Sequence, residues 1–129
     1  MSADILTTRV IGSYLFTNLN QAHITRWTLS NRTPLLIGSS GPLTWYGYNL
    51  YNPNTYDVFL KAYNGVPIVG SSNVILTIPI PAGSPVVLMG TDPIYHFDTS
   101  MYTAVTKFID DTDDTAVSVG VMVQMFSKQ

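Results

Sequence analysis

Residues 56–63 carry the pattern that most constrains the fold of this chain. Apolar side chains stand at every second position of the run, and the two charged residues, Asp57 and Lys61, stand on the opposite parity. The apolar positions are Val58, Leu60 and Ala62. Successive side chains of a strand point to opposite faces of a sheet. The run therefore predicts a strand with an aliphatic row inside and an ion-pair-capable row outside.

Further extended runs are separated by turn residues such as Asn52-Pro53-Asn54 and Asn64-Gly65. We expect strands at residues 22–30, 35–37, 43–52, 74–81, 85–89 and 117–126, the last as a long strand near the centre of a sheet. Residues 5–16 form either a strand or an arm that orders only against a neighbour. About eight to ten short strands with turns between them predict an all-β fold, an antiparallel jelly roll or β-sandwich.

Residues 98–109 fit two different periods. A helix would use Met101, Ala104, Val105, Phe108 and Ile109, with Asp98 as its N-cap. A strand would place Tyr102, Ala104, Thr106 and Phe108 on one face. We favour the strand, because the β-branched residues Thr103, Val105 and Thr106 suit a pleated surface better than a helix.

The length of 129 residues indicates one domain that buries about two thirds of its unfolded surface. We divide the chain into an N-terminal arm or edge strand at residues 1–20 and one sandwich domain at residues 21–129. Only 11% of the residues are charged and none is Glu, which favours strands and turns over helices.

Charge and hydropathy limit the classes of partner. The net charge is −2 and the basic residues do not cluster, which argues against nucleic acid. No apolar window has the length of a membrane span, and the first residues lack the pattern of an export signal. The absence of Cys fits folding in a reducing cytoplasm. With 46% hydrophobic residues, the surface is best covered by other chains, so we expect a homo-oligomer, a dimer or trimer.

No motif predicts catalysis or a cofactor. A nucleophile elbow, a phosphate loop and a dinucleotide fingerprint are all missing, and His23 and His96 lack the spacing of metal ligands. The one dense charge cluster consists of Asp110, Asp111, Asp113 and Asp114. Four carboxylates could hold a calcium ion, but the run lacks the register of a calcium hand. We favour a solvated turn and keep these residues as weak metal candidates.

Several aromatic residues could instead contact a ligand. They are Trp27, Trp45, Tyr46, Tyr48 and Tyr51. Exposed rings of this kind stack on sugars in carbohydrate-binding modules. Packing in the core or at a subunit interface is the commoner role, and it is the one that we expect here.

The stretch that includes this run resembles a set of small virion proteins of tailed bacteriophages. The similar segments are residues 48–54 (YNLYNPN), 57–63 (DVFLKAY), 69–70 (VG), 74–83 (VILTIPIPAG), and residues 104–106 (AVT) through Asp110 to 113–117 (DDTAV). The resemblance spans about residues 43–120 and concerns strands and turns, with no catalytic motif.

The resemblance implies a jelly-roll or β-sandwich structural protein. Its implied role is a capsid decoration (cement) protein that binds the shell of the major capsid protein on the virion surface, made in the host cytoplasm. For these contacts we predict apolar or cationic side chains in loops and arms: Ile5, Leu6, Arg9, Trp27, Trp45 and Tyr46. The alternative is a tail-fibre, receptor-binding or carbohydrate-binding module of the virion.

Overall fold

The computed structural model describes the backbone of residues 22–29 and all atoms of residues 34–90 and 92–129. Over these ranges the chain forms nine strands and no helix, so none that could cross a membrane. The strands are β1 (Ala22–Leu29), β2 (Leu35–Leu36), β3 (Leu43–Tyr51), β4 (Val58–Asn64), β5 (Leu76–Ile80), β6 (Pro85–Leu88), β7 (Tyr95–Phe97), β8 (Met101–Thr106) and β9 (Val121–Lys128). The expected strand or arm at residues 5–16 and the proposed segment 1–20 lie outside the described residues.

The strands pair in a nested, antiparallel order. β1 pairs with β9, β2 with β8, β3 with both β6 and β7, and β4 with β5. A long two-stranded ribbon that ends at the β4–β5 connection thus folds over on itself. Pairing of β3 with β9 and of β4 with β8 then joins its parts into sheets.

The result is a five-stranded sheet in the order β1-β9-β3-β6, with β7 also on β3, and a four-stranded sheet in the order β2-β8-β4-β5. Two sheets with this nested strand order form a jelly roll. The predicted all-β, antiparallel fold is confirmed.

The core lies between the inner faces of the two sheets. The aliphatic row predicted for β4, Val58, Leu60 and Ala62, is fully buried. Val121, Val123 and Met125 of β9 fill the opposite side. Each fully buried Val, Leu or Met side chain contributes roughly 1.5–3 kcal/mol relative to exposure, so the two rows stabilise the sandwich together.

A β-bulge in β3 decides which aromatic residues enter the core. The register against β9 shifts between Trp45 and Gly47, so Trp45 before the bulge and Leu50 after it are both buried although their parities differ. The Trp45 indole Nε1 donates to the Gly47 carbonyl oxygen at 2.9 Å. A Cβ at Gly47 would lie 2.5 Å from the carbonyl oxygen of Leu88. Only glycine therefore permits this approach of β6 to β3.

The segment that fitted two periods is the strand β8, as predicted. Both faces of Met101–Thr106 are largely covered, and five of its six residues are buried. The inner face packs in the core, and the outer face belongs to the side of the four-stranded sheet that the chain's own loops cover. Burial on both sides explains why apolar residues occur at both parities. The short strand β7 was not predicted.

The last strand, β9, begins at Val121 and not at Val117. It lies between β1 and β3, and its predicted central position is confirmed. Residues 118 and 119 leave the sheet because they bind the β3–β4 loop: Ser118 contacts Tyr56, and Val119 contacts Asn54.

Candidate functional site

The outer face of the four-stranded sheet is covered by two of the chain's own loops. One loop joins β4 to β5 and the other joins β8 to β9. They meet at Gly70, where an added Cβ would lie 3.1 Å from the Thr112 carbonyl oxygen. Lys61 and Tyr63 stand on the outward parity of β4, yet both are buried.

Lys61 is the buried cation of this covered face. Its Nζ donates to the carbonyl oxygens of Asp110, at 2.5 Å, and Asp113, at 3.3 Å. Burial lowers the pKa of Lys61, while the negative charges of Asp113, Asp111 and Asp110 oppose that shift. The predicted outward position of Lys61 is therefore corrected, because Lys61 is fully buried under a loop. Asp57 is exposed, as predicted, and its carboxylate accepts a hydrogen bond from the Ala82 N–H.

The four aspartates of the β8–β9 loop do not gather as a group of three or more metal ligands in the described part of the chain, and their metal binding stays a prediction. The Asp113 carboxylate accepts hydrogen bonds from the Phe108 N–H, at 3.0 Å, and the Thr115 hydroxyl, at 2.6 Å. Burial raises the pKa of Asp113, but these hydrogen bonds outweigh it and the pKa lies below the usual value. Over residues 34–90 and 92–129, no three His, Cys, Asp or Glu side chains converge on one point.

Tyr63 carries a buried hydroxyl that has no hydrogen-bond partner among the described residues. Burial, with a smaller effect of the Asp111 charge, raises the pKa of Tyr63 to about 12. Tyr63 also lines a polar groove of about 480 Å³ beside the β4–β5 loop. A buried hydroxyl without a partner costs stability, so this residue marks a weak point of the covered face.

A network of buried side-chain amides fastens the β3–β4 loop. Asn52 Nδ2 donates to the carbonyl oxygens of Tyr56, at 2.8 Å, and Ile80, at 2.9 Å. Asn52 Oδ1 accepts from the backbone N–H and from Nδ2 of Asn54, both at 2.9 Å. Asn54 in turn binds the backbone of Val119 in both directions, at 2.8 Å each. Every hydrogen-bonding position of the Asn52 amide is used, which makes this end of the jelly roll rigid.

One part of the outer face of the five-stranded sheet presents only uncharged side chains to the surface. We name this patch, which consists of Asn49, Tyr51, Val87, Met122 and Gln124, the apolar face, although two of its members are amides. Register places them side by side, with Asn49 opposite Val87 and Gln124, and Tyr51 opposite Met122. Tyr51 is 42% exposed and Val87 is 58% exposed. A shallow groove of about 290 Å³ runs between β3 and β9 at this point.

The residues predicted to contact a partner differ in their burial and in whether the structure describes them. Trp45 was predicted to contact a partner, and that prediction is wrong: the bulge turns its ring into the core, where it is fully buried. Tyr46 is half-buried at the bulge, and its role stays a prediction. Ile5, Leu6 and Arg9 lie outside the described residues. Trp27 and His23 belong to β1, of which the backbone alone is described.

His96 is exposed, as expected for an ordinary surface histidine, and its Nδ1 lies 2.8 Å from the Thr44 hydroxyl, a contact between β7 and β3. One feature of the surface was not predicted from the sequence. Val87 and Leu88 of β6 are both exposed although neighbouring residues of a strand face opposite sides. An apolar run without alternation, at residues 86–88, was the signal that could have indicated them.

Comparison with known proteins identifies no family for this chain. No protein-family model matches the chain, and no curated protein matches it. The chain is similar to a solved structure described by the words "Bacillus endospore appendages form a novel family of disulfide-linked pili". The identity is 15%, the match covers 84% of this chain and 85% of the other, and the TM-score is 0.45. A similarity of this size indicates no function.

Proposed function

We propose that this chain is a structural protein of a tailed-bacteriophage head, a decoration protein that binds the shell of the major capsid protein as a homo-oligomer. It acts by contact and carries out no reaction. The observation that carries the proposal is the apolar face: an uncharged, exposed surface on the rigid strands of a jelly roll. Jelly rolls occur in viral capsid proteins, and also in lectins and cupins, so the fold alone does not choose among these roles.

The contrast between the two sheets supports a binding role for the apolar face. The chain covers the outer side of its four-stranded sheet with its own loops, and Lys61 on that side is fully buried beneath them. On the five-stranded sheet, Tyr51 and Val87 stay exposed. Interface cores are poor in charge and rich in Tyr and Met, which is the composition of this face.

The rigidity of the scaffold also favours binding. Tyr51 is the last residue of β3, directly before the buried amide network of Asn52 and Asn54. A strand whose backbone is already fixed loses little backbone entropy on binding, so mainly the ordering of its side chains opposes the contact. Many copies that each add such a contact across a shell would combine their modest affinities.

The first experiment measures copy number in purified virions of the phage that encodes the chain. A decoration protein will be present at a level comparable with the major capsid protein, and its deletion will lower the temperature at which heads release DNA. A tail-fibre or receptor-binding module will be present in few copies and will bind glycans. That second result would refute the proposal.

A matched pair of variants tests the face itself. Tyr51→Asp places a charge in the apolar face, and we expect it to reduce the amount of protein retained on heads. The control is Val66→Asp, which places the same charge at a side chain that is 76% exposed in the β4–β5 loop. Melting temperatures of both purified variants confirm that they fold. Equal retention of the two variants would exclude the apolar face as the shell contact.

A further inference from the structure

We propose that Asn64 is a site of covalent modification by deamidation, which proceeds in the unfolded or locally opened chain and is held back by the fold. Asn64 is followed by Gly65, and no other Asn of the sequence precedes a Gly. The product is aspartate or isoaspartate, and it breaks a contact by which the Asn64 side chain fastens one end of the jelly roll. The inference concerns the chain on its own and does not depend on the proposed function.

The reaction needs only the chain itself and water. The Gly65 backbone nitrogen attacks the Asn64 Cγ and forms a C–N bond. The side-chain NH2 group and the proton of the Gly65 N–H leave together as ammonia, and a cyclic imide remains. Water then opens the ring at either carbonyl group, which gives aspartate or isoaspartate. Glycine favours this ring closure, because it has no side chain to obstruct the attack and its backbone has the widest range of conformations.

The folded chain holds both reacting groups in hydrogen bonds. The Gly65 N–H donates to the Ser100 carbonyl oxygen at 2.9 Å. The Asn64 Oδ1 accepts from the Thr99 N–H at 3.0 Å, and the Asn64 Nδ2 donates to the Asp98 carboxylate at 2.6 Å. The attack requires that these contacts break, so it depends on local opening at the end of β4.

The modification would turn an attraction between the side chains at positions 64 and 98 into a repulsion. Hydrogen bonds from Asn64 and Thr99 hold the pKa of Asp98 below its usual value, so this carboxylate is ionised near neutral pH. Deamidation replaces the donor that now lies 2.6 Å from the Asp98 oxygen by an acceptor of the same charge. Like charges in contact repel, and the hydrogen bond is lost as well.

The contact that would be lost joins the two sheets. Asn64 is the last residue of β4 in the four-stranded sheet, and Asp98 directly follows β7, which pairs with β3 of the five-stranded sheet. The contact lies at the opposite end of β4 from the amide network of Asn52. Asn64 also lines the polar groove beside the β4–β5 loop. A deamidated chain should therefore differ from a new one in the order of this loop.

Peptide mapping by mass spectrometry, after incubation at mildly alkaline pH, tests the protection. Deamidation of Asn64 should be about tenfold or more slower in the folded chain than in urea, because only local opening exposes the site. The control is Asn73, which is exposed in the same loop and precedes the β-branched Val74, so it should react slowly in both states. Equal rates at Asn64 in the two states, or no product in the unfolded chain, would overturn the inference.

A charge exchange tests the consequence. Asn64→Asp reproduces the aspartate product, and it should lower the melting temperature and speed hydrogen exchange of residues 64–75. Adding Asp98→Asn exchanges the two groups and should restore both readouts, since an amide at position 98 can donate to a carboxylate at position 64. If Asn64→Asp alone does not fold, recovery of a folded chain in the double variant is the expected result. A double variant no better than Asn64→Asp, or an Asn64→Asp chain equal to the unmodified protein, would refute the role of the contact.

Discussion

Asn54 and the backbone of Val119 form two opposed hydrogen bonds, each 2.8 Å long. The Asn54 Nδ2 donates to the Val119 carbonyl oxygen, and the Val119 N–H donates to the Asn54 Oδ1. A side chain thus replaces a neighbouring strand as the partner of Val119. The residues lie 65 positions apart, so this contact closes the β3–β4 loop against the segment that leads into β9.

Asn54→Ala should lower the free energy of unfolding by about 1–3 kcal/mol. The change leaves the Val119 backbone and one acceptor position of Asn52 without partners in a mostly buried place. Urea denaturation measures the effect as a lower midpoint with an unchanged slope. The control is Asn73→Ala, which alters an exposed side chain of the β4–β5 loop. A midpoint equal to that of the control would show that water replaces the Asn54 amide at no cost.

Lys61→Met should loosen the β8–β9 loop more than it changes the core. Methionine keeps most of the buried stem but cannot donate to the carbonyl oxygens of Asp110 and Asp113. Hydrogen bonds from charged donors contribute about 1.5–3 kcal/mol, and relief from burying a charge offsets part of that loss. Hydrogen exchange of residues 107–115 should become faster, with Lys128→Met as the control. Unchanged exchange would mean that other contacts hold the loop.

Tyr63→Phe should stabilise the protein by about 1 kcal/mol near neutral pH, because it removes a buried hydroxyl that lacks a partner among the described residues. The variant also tests a pH window. The pKa of Tyr63 is raised from 10.0 to about 12, so the folded protein holds the phenol proton that the unfolded chain releases. The penalty for ionising the buried phenol is absent below pH 10, and it lowers the stability of the folded protein as the pH rises from 10 towards 12.

Denaturation midpoints of the unmodified chain and Tyr63→Phe, compared between pH 9 and about 12, check this window. The unmodified chain should lose stability more steeply than the variant above pH 10. If the midpoints of the two proteins change in parallel with pH, the raised pKa of Tyr63 is contradicted. Tyr95→Phe is the control, since Tyr95 is exposed.

Gly47→Ala should destabilise the protein by roughly 1–3 kcal/mol, the usual cost of an overpacked site. The new Cβ would meet the Leu88 carbonyl oxygen at 2.5 Å, which forces β6 away from β3. Gly90→Ala is the control, because its Cβ would have no neighbour closer than 4.0 Å. Thermal melting measures both.

Much of the fold was predictable because strand formation depends on short-range patterns, namely the alternation of apolar and polar residues and the content of β-branched residues. The alternation around Leu60 predicted a buried row on β4, and the β-branched residues around Val105 predicted a strand where a helix was also possible. The candidate surfaces were less predictable. Trp45 was expected at a surface and lies in the core, because a bulge at the next residues reverses the parity of β3. A bulge has no consistent signal in the order of apolar and polar residues.

The amino-acid sequence by itself determined most of the strands, the turns between them and the apolar rows that pack across the core, since these depend on neighbours along the chain. The tertiary structure alone decided which outward side chains stay outside. Lys61 and Val87 both point away from the core by parity, yet Lys61 is buried under a loop that follows β8, while Val87 is exposed at the edge of a sheet. The physical reason is that an outer face is buried only when segments distant in sequence come into contact, and the local pattern of residues does not predict such contacts.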